Sequence, residues 1–428
     1  MSYTGLAVVI PTRNRPDLAL TAARTSLDQL PAGGRVVVSD NSSPSNRDRL
    51  SAKCEGLSDP RLDHIAPPGD LDMTAHWQWA LEQTLARSDV SHVAVLTDRM
   101  VFRDGELANV SALASSHPDD VVSYNIDHID DRVSPPMLIQ YAWSGGVRRL
   151  DSGRLLKAAS RGRFPPCIPR LMNCVAPRSA LERVAERFGS VCGSIAPDYS
   201  FGFRCLDVLD TTLHYDKSAL LAAGLERSIG SSIVRGRLSE EGADFVAALD
   251  STMNRATPLP ELNAWPNPMF QIYCDVRGES SSSRVPPLHR GRYLAALAKG
   301  VAGLEDEEAR RQGREALAGA GWTGWRRWSN SARSLAEDLS YAAHPRDFLR
   351  RVLWRKRNAF RTPGSVTATL LRWLKMLPPE RSGSPHLDAF EYANRNPVER
   401  VRRRGPRPVW ARAPAASASM RSRSGSSG

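Results

Sequence analysis

Polar side chains that could bind a nucleotide follow three short apolar runs near the N-terminus. The first polar segment is 11–16 (PTRNRP), the second is 39–43 (SDNSS) and the third is 97–99 (TDR). Carboxylates and amides suit a base and a ribose, and an arginine suits a diphosphate. Neither a P-loop nor a GxGxxG follows the first run, which argues against a Walker NTPase and a classical dinucleotide enzyme.

The apolar runs before these segments are short and rich in β-branched residues, as buried parallel strands are. They lie at 6–10, 36–38 and 93–96, with a weaker run at 121–124. Helical patterns occupy 16–30, 72–85, a stretch from about 104, and 178–188. This order predicts an α/β fold with helices on both faces of the sheet. Ligands bind such sheets at the carboxyl ends of the strands, so we expect the three polar segments to face one crevice.

Length and composition indicate a globular protein. The chain has 428 residues, of which 41% are hydrophobic and 24% are charged, so it is neither wholly disordered nor fibrous. No apolar stretch approaches the ~18 residues of a transmembrane helix, and no signal peptide is evident at the N-terminus. Six cysteines without a CxxC motif predict reduced thiols and a cytoplasmic protein.

The positive charge is confined to the second half of the chain. Residues 1–230 contain 25 basic and 27 acidic side chains, whereas 231–428 contain 33 and 19, a net charge of +14. Such a surface suits an anionic partner, although a solvated arginine-rich surface is the alternative. Aromatic and leucine residues among the arginines of 346–361 suit a membrane-surface helix, or a helix packed on the first half. No nucleic-acid-binding motif is present, so nucleic acid is not expected as a partner.

Three motifs, VVIPTRNRPDL, VVVSDNSSP and VLTDRM, resemble the N-terminal half of a family 2 glycosyltransferase of the GT-A fold. The resemblance covers about residues 5–230. It implies an inverting glycosyltransferase, a hexosyl- or related transferase, that moves a sugar from a nucleotide-diphosphate sugar to an acceptor hydroxyl in glycan or polysaccharide assembly. It also implies a mostly parallel (mixed) sheet flanked by helices over 1–235. A mainly helical basic extension is expected over 236–411, with a helical pattern at 290–318, and a disordered tail over 412–428.

The resemblance also implies a set of donor-binding residues. Asp40 would hydrogen-bond the base, with Asn41 beside it, although Asn41 also suits a turn. His76 would contact the diphosphate or the sugar, and a half-buried histidine without that role is the alternative. The full set is Pro11, Thr12, Arg13, Asn14, Asp40, Asn41, His76, Asp98 and Arg99.

The third motif departs from the family pattern. Members carry two or three consecutive acids there, and the last one usually binds a divalent metal, Mn²⁺ or Mg²⁺. Here Arg99 follows Asp98, and a guanidinium cannot ligate a cation but can pair with a diphosphate. Either Asp98 holds the metal together with donor phosphates, or Arg99 partly replaces the metal, or Arg99 forms a surface salt bridge.

An inverting transfer needs a general base that removes the acceptor proton. The resemblance implies an acid well downstream of the third motif, and Asp198 in PDYSF is the candidate. Asp207 and Asp210 are the runners-up, and Asn173 is expected to border the acceptor cleft. An alternative or additional role for Asp198 is to cap a helix that starts near Tyr199.

Two other classes of protein compete with this interpretation. A catalytically silent relative would bind sugar nucleotides without turning them over, as the reduced acidic motif allows. A nucleotidyltransferase also uses an α/β crevice, but its glycine-rich, lysine-containing first loop is missing from 11–16. We expect a cytoplasmic protein that either stays free or attaches to the inner face of the membrane at a lipid-linked acceptor.

Overall fold

The computed structural model describes residues 5–130, 137–139, 145–193, 195–222, 256–304 and 306–322. The first part alternates strands and helices: β1 (Leu6–Thr12), α1 (Pro16–Leu27), β2 (Arg35–Asp40), α2 (Pro44–Glu55), β3 (Leu62–Ile65), α3 (Met73–Leu85), β4 (His92–Val95), β5 (Met100–Phe102), α4 (Glu106–Ser116) and β6 (Val122–Asp130).

The second part mixes strands and helices as far as β10, and its described residues after β10 form only helices. Its elements are β7 (Met137–Ile139), β8 (Val147–Asp151), α5 (Ser152–Ala159), the 3₁₀ turn η1 (Leu171–Asn173), β9 (Cys174–Pro177), α6 (Arg178–Phe188), α7 (Pro197–Val208), β10 (Thr211–Ala222), α8 (Asn267–Glu279), α9 (Arg290–Ala302) and α10 (Glu307–Gly319). The helical pattern predicted for 290–318 therefore corresponds to two helices. The first helix ends with Gly303 as its C-cap, and Asp306 is the N-cap of the next one.

Within the described residues, ten strands form one mixed sheet. Eight of them follow the order β3-β2-β1-β4-β9-β6-β10-β5, while β7 pairs with β6 and β8 pairs with β10. Strands β3, β2, β1 and β4 run parallel, and β6 pairs with β10 in parallel. β9 lies antiparallel between β4 and β6, and β5, β7 and β8 also pair antiparallel. The predicted mixed α/β sheet with flanking helices is confirmed.

Apolar side chains lie on both faces of the sheet, and this explains why helices pack against both faces. Val8 and Ile10 point to the face covered by α1 and α4, where they join one hydrophobic cluster. Ala7 and Val9 point to the opposite face, where they pack with Trp77 of α3. Alternation along one strand thus supplies two cores, one on each face of the sheet.

Helices α8–α10 pack onto the α/β part through α7. Phe203 and Leu206 of α7 share a hydrophobic cluster with Ile272 and Tyr273 of α8. A second cluster joins Phe270 of α8 to α9 and α10. The helices of residues 256–322 therefore pack against the first half. The choice between a membrane-surface helix and a packed helix concerned the segment 346–361 and stays open. The basic segment 346–361 and the predicted tail 412–428 lie outside the described residues.

None of the helices in the described ranges is long and apolar enough to cross a membrane.

Candidate active site

The three predicted polar segments meet at the carboxyl edge of the sheet. The Thr12 hydroxyl at the end of β1 donates to Asp98 Oδ2 over 3.0 Å. The Asn41 backbone N–H donates to the Thr12 carbonyl over 3.0 Å. The Asn14 N–H donates to Ser42 Oγ over 2.7 Å. The loops after β1, β2 and β4 therefore form one connected surface, as the rule for parallel strands predicts.

Asn14 gives the first loop its shape. Its backbone has a φ of 56°, a left-handed conformation that asparagine tolerates better than most residues. Its side-chain oxygen accepts the Ser43 N–H at 2.9 Å, which fastens the β1 loop to the β2 loop. Pro11 is buried within β1 beside Ser39 of β2. Both residues lie at the crevice edge, and their contact with a donor stays a prediction.

Asp40 is fully buried at the end of β2. Its Oδ1 accepts the Ser42 N–H at 2.9 Å, and its Oδ2 lies 3.3 Å from His64 Nε2. Burial acts to raise the pKa of Asp40, but the hydrogen bonds from His64 and Ser42 outweigh it, so that pKa lies below its usual value. The carboxylate is thus charged at neutral pH and organises the β2 loop. Its predicted contact with a base is untested and needs one of these partners to move.

Asn41 and Arg13 tie the chain before α3 to the crevice loops. The Asn41 amide donates to the Leu71 carbonyl over 2.6 Å and accepts the Leu71 N–H at 3.3 Å. Arg13, which is exposed, donates to Asp70 Oδ2 over 3.1 Å and to the Leu71 carbonyl over 3.2 Å. Asn41 therefore links the β2 loop to the chain before α3, and its predicted place beside the base of a donor stays a prediction. Arg13 lies on the exposed rim of these loops.

His76 lies in the protein interior. Its Nε2 is 2.8 Å from the Ser39 hydroxyl, and only 4% of the residue is exposed. Burial lowers its pKa to about 4, so the imidazole is neutral at pH 7. His76 is thus more deeply buried than the surface or half-buried position that was the alternative. A neutral ring supplies no positive charge to a diphosphate, and the contact of His76 with a donor stays a prediction.

Asp98 and Arg99 form the corner of a tight turn between β4 and β5. The Met100 N–H donates to the Thr97 carbonyl over 2.9 Å, which closes the turn. Asp98 is 7% exposed, and the guanidinium of Arg15 lies 3.7 Å from its Oδ1. Arg99 is half-buried beside it. Sequence reasoning missed Arg15, although this second arginine of PTRNRP was a signal for it.

The residues around Asp98 do not fit the divalent metal that the resemblance implies. Among the residues described, no group of three or more His, Cys, Asp or Glu side chains could hold a metal ion. Asp98 offers one carboxylate, and the Thr12 hydroxyl and the Arg15 guanidinium already contact its two oxygens. A dication bound there would also lie beside the positive charge of Arg15.

Asp198, the predicted general base, lies in the first turn of α7. The helix starts at Pro197 with Ala196 as its N-cap, so the predicted capping role of Asp198 is wrong. The residue is 8% exposed, and burial raises the pKa of its carboxyl while the positive charge of Arg170 opposes that shift. A carboxylate with a raised pKa is a stronger base than an exposed aspartate.

The turn η1 lies between the strand that precedes Asp98 and the helix that carries Asp198. It packs against β4, which leads to Asp98, and also against α7, which carries Asp198. Asn173 ends the turn, fully buried, and its side-chain amide donates to the carbonyls of Tyr124 and Pro166 over 3.1 and 2.9 Å. It therefore has a structural role, and its predicted place at an acceptor cleft finds no support here.

Arg170, just before η1, is a second residue that sequence reasoning missed. Its backbone N–H donates to Asn173 Oδ1 over 2.7 Å. Its guanidinium carbon lies 5.1 Å from the centre of the Tyr199 ring, a cation–π contact next to Asp198. No motif marked it, because only the fold brings this loop to the start of α7.

The two runners-up for the base are already engaged elsewhere. Asp207 is buried and accepts hydrogen bonds from the hydroxyls of Ser280, at 2.8 Å, and of Ser282. Asp210 is exposed and pairs with Arg284 at 2.5 Å. Both carboxylates fasten the chain after α8 to α7, which leaves Asp198 as the candidate.

Comparisons with known proteins identify a likeness in structure only. No family model matches the sequence, and no curated protein matches it. A crystal structure of S. aureus TarS aligns with 73% of this chain and 53% of its own, at 14% identity and a TM-score of 0.38. This chain therefore spans about half the length of that structure. Residues 1–349 of TarS in complex with UDP-GlcNAc give 15% identity and a TM-score of 0.43, over 77% of this chain and 92% of that one. At these values the likeness assigns no function by itself.

Proposed function

We propose that this protein is a glycosyltransferase that moves a sugar from a nucleotide-diphosphate sugar to an acceptor hydroxyl. The observation that carries the proposal is the convergence of three loops at the carboxyl edge of the sheet, joined by the Thr12–Asp98 hydrogen bond of 3.0 Å. The order and spacing of the PTRNRP, SDNSS and TDR segments support it further. Open α/β sheets bind nucleotides at this edge.

The proposed donor site divides by charge. The loops after β1 and β2, with Asp40 beneath them, face the nucleoside. The arginines of the edge, Arg13, Arg15 and Arg99, face the diphosphate, since guanidinium groups pair with phosphate oxygens in a planar, two-pronged geometry. The Asp98 side chain lies between the two parts, where it contacts Thr12 on one side and Arg15 on the other.

The proposed reaction is a single displacement with inversion. Asp198 removes the proton of the acceptor hydroxyl as the acceptor oxygen bonds to the anomeric carbon of the sugar. The bond from that carbon to the diphosphate breaks on the opposite side, and the nucleoside diphosphate leaves with the electron pair. The burial that raises the pKa of Asp198 supports this role, because it strengthens the base.

A thermal-shift screen tests the donor class. The protein is heated with UDP-, GDP- and TDP-sugars, each with Mn²⁺ and with EDTA. A donor that binds the folded state raises the melting temperature by mass action. If no sugar nucleotide raises it under either condition, the proposal fails.

A catalytically silent relative is the second candidate. The observation that favours it is Arg99 at the position where the family carries a further acid, next to an Asp98 that is already paired with Arg15. Such a protein would bind a sugar nucleotide and leave it intact. Release of nucleoside diphosphate from the donor that binds separates the two candidates.

The acceptor is proposed to be a glycan or a lipid-linked molecule at an anionic membrane surface. This part of the proposal rests on the sequence, because the basic segment 346–361 lies outside the described residues. Lysine and arginine side chains beside aromatic residues suit an anionic membrane surface.

A further inference from the structure

We infer that the crevice binds the diphosphate of its donor without a metal ion, and that the guanidinium of Arg15, held beside Asp98, supplies the positive charge. The inference rests on the proposed function and names how the same site holds the charged part of its donor. It is carried by the contacts of Asp98, by the position of Arg15 and by the shape of the β4–β5 turn.

The carboxylate that would bind a metal is committed to protein partners. Asp98 Oδ2 accepts the Thr12 hydroxyl at 3.0 Å, and Asp98 Oδ1 faces the Arg15 guanidinium at 3.7 Å. Mg²⁺ needs near-ideal octahedral oxygen ligation, and it is repelled by a fixed positive charge next to its ligand. The turn that closes between Thr97 and Met100 leaves room for two corner residues, and the second of these is Arg99 rather than an acid.

Arg15 occupies the place where a diphosphate needs positive charge. Its side chain is 20% exposed, so most of it is buried, and its guanidinium lies beside Asp98 at the end of β4. Arg15 is also the N-cap residue of α1, a 12-residue helix that begins with Pro16 and has no side-chain cap. The positive end of a helix and a guanidinium therefore adjoin each other and Asp98. A guanidinium has five N–H donors, so it can contact a carboxylate and phosphate oxygens together.

Two further arginines lie at the same edge of the sheet. Arg99 is half-buried at the corner of the β4–β5 turn, and Arg13 lies on the rim with contacts to Asp70 and Leu71. Three arginines thus lie within two short segments, 13–15 and 97–99. Across the described parts of the chain, no set of acids and histidines offers a metal site in their place.

Calorimetric titration of the full chain tests the inference directly. The ligands are UDP, GDP and TDP with their nucleosides, in EDTA and in Mn²⁺. The tightest nucleoside diphosphate should bind with the same Kd in both buffers. In Arg15→Gln its Kd should rise about tenfold, the loss of one charge-assisted contact. The matching nucleoside, which has no phosphate, should lose less than about twofold.

Two further variants guard against a folding effect or a general charge effect. Arg15→Lys keeps the charge but not the planar fork, so its Kd should lie between those of the wild type and Arg15→Gln. Arg24→Gln removes the same charge from the exposed last turn of α1, and it should leave the Kd unchanged.

The remaining outcomes distinguish a failure of the metal-free binding inference from a failure of the proposed function. Binding that requires Mn²⁺ overturns the inference and leaves the proposed function standing. An equal loss for nucleoside and diphosphate in Arg15→Gln also overturns it, because Arg15 would then only support the fold. If no nucleotide binds in either buffer, the proposed function fails and the inference fails with it.

Discussion

At the scale of single residues, Asp198 carries the proposed chemistry. Asp198→Asn keeps the size of the side chain but cannot accept the acceptor proton. Turnover should fall about 10²–10⁴-fold while donor affinity stays the same, since general bases contribute that much. Asp210→Asn is the matched control, because Asp210 is exposed and pairs only with Arg284 among the contacts seen here. Near-normal turnover in Asp198→Asn, measured as nucleoside diphosphate released per minute, would move the base elsewhere.

Arg170 should set the pH range in which Asp198 works. Burial raises the pKa of Asp198, and the guanidinium of Arg170 holds it down. The other ionisable groups that interact with this carboxyl, the thiol of Cys192 and the phenol of Tyr199, both have a raised pKa and stay neutral at pH 7. Arg170→Met removes the opposing charge, so the pKa of Asp198 rises further.

Because the base acts when deprotonated, the acid limb of the rate–pH profile should move to higher pH in Arg170→Met. Activity lost at pH 6 should therefore exceed activity lost at pH 8. Arg170→Lys keeps the charge and should keep the limb in place. Arg161→Met, a change in the same loop, is the control for charge removal. A loss that is equal at every pH would mean that Arg170 only supports the fold.

Asp40 should stabilise the protein in a pH-dependent way. Burial acts to raise the pKa of Asp40, but its bonds to His64 and Ser42 lower it overall, so the stabilisation is complete above the unfolded value of 3.8. It is lost as the pH falls through the lower folded value. Asp40→Asn should lower the melting temperature at pH 7, and the difference from wild type should shrink below pH 4. A difference that is constant with pH would contradict the charged state of Asp40.

At the scale of elements, one arginine closes the C-terminal end of α3. Arg178, the first residue of α6, donates to the carbonyls of Leu85, Arg87 and Val90 over 2.6, 2.5 and 3.0 Å. The Leu85 carbonyl is in the last turn of α3, where a helix leaves carbonyls without partners, and the other two carbonyls belong to the loop before β4. Arg178→Met should lower the free energy of unfolding by about 2 kcal/mol in urea titrations, the scale of charged hydrogen bonds. Arg154→Met, on the exposed side of α5, should change it by less than about 0.5 kcal/mol.

Elements with a clear apolar pattern could be predicted from the sequence, and the others could not. Helix α6 lies over 178–188, as predicted. Gly189, with a φ of 76°, ends the helix there. Helix α2 escaped detection, since only Leu50 and Cys54 of its 12 residues are buried. Strand β8 reads as a basic loop, VRRLD, and becomes a strand only by pairing with β10.

The same limit applies to the candidate site. That Thr12 and Asp98 would meet follows from the rule for strand ends, and the structure brings them together. The roles of Arg15 and Arg170 depend on how loops turn, and no pattern of period 2 or 3.6 encodes that. The interior position of His76 depends on which face of α3 meets Ser39 of β2, and the helical pattern of 72–85 does not indicate that.

At the scale of the whole molecule, the positive charge lies beyond the described residues. Residues 323–428 contain 22 basic and 7 acidic side chains, whereas 1–322 contain 36 and 39. A chain that ends at Trp322 keeps every described element, including α8, whose Ile272 and Tyr273 pack on α7. A cut near Arg237 would remove that helix and expose the core.

We therefore predict that the full chain sediments with anionic liposomes at low salt and that the chain ending at Trp322 does not. Each basic residue near an anionic surface contributes about 1 kcal/mol, and salt screens it within a Debye length. Neutral liposomes are the control. Equal recovery of both chains, or no binding at low salt, would leave the basic segment as a solvated surface.

The most direct test of the proposed glycosyltransferase function compares sugar-nucleotide turnover by the wild type and by Asp198→Asn. Both proteins are incubated with UDP-, GDP- and TDP-sugars, and released nucleoside diphosphate is measured together with the melting temperature. If the protein is a glycosyltransferase with Asp198 as its base, one donor should raise the melting temperature of both proteins and only the wild type should consume it. The proposed function is wrong if no sugar nucleotide stabilises the protein and none of them releases nucleoside diphosphate.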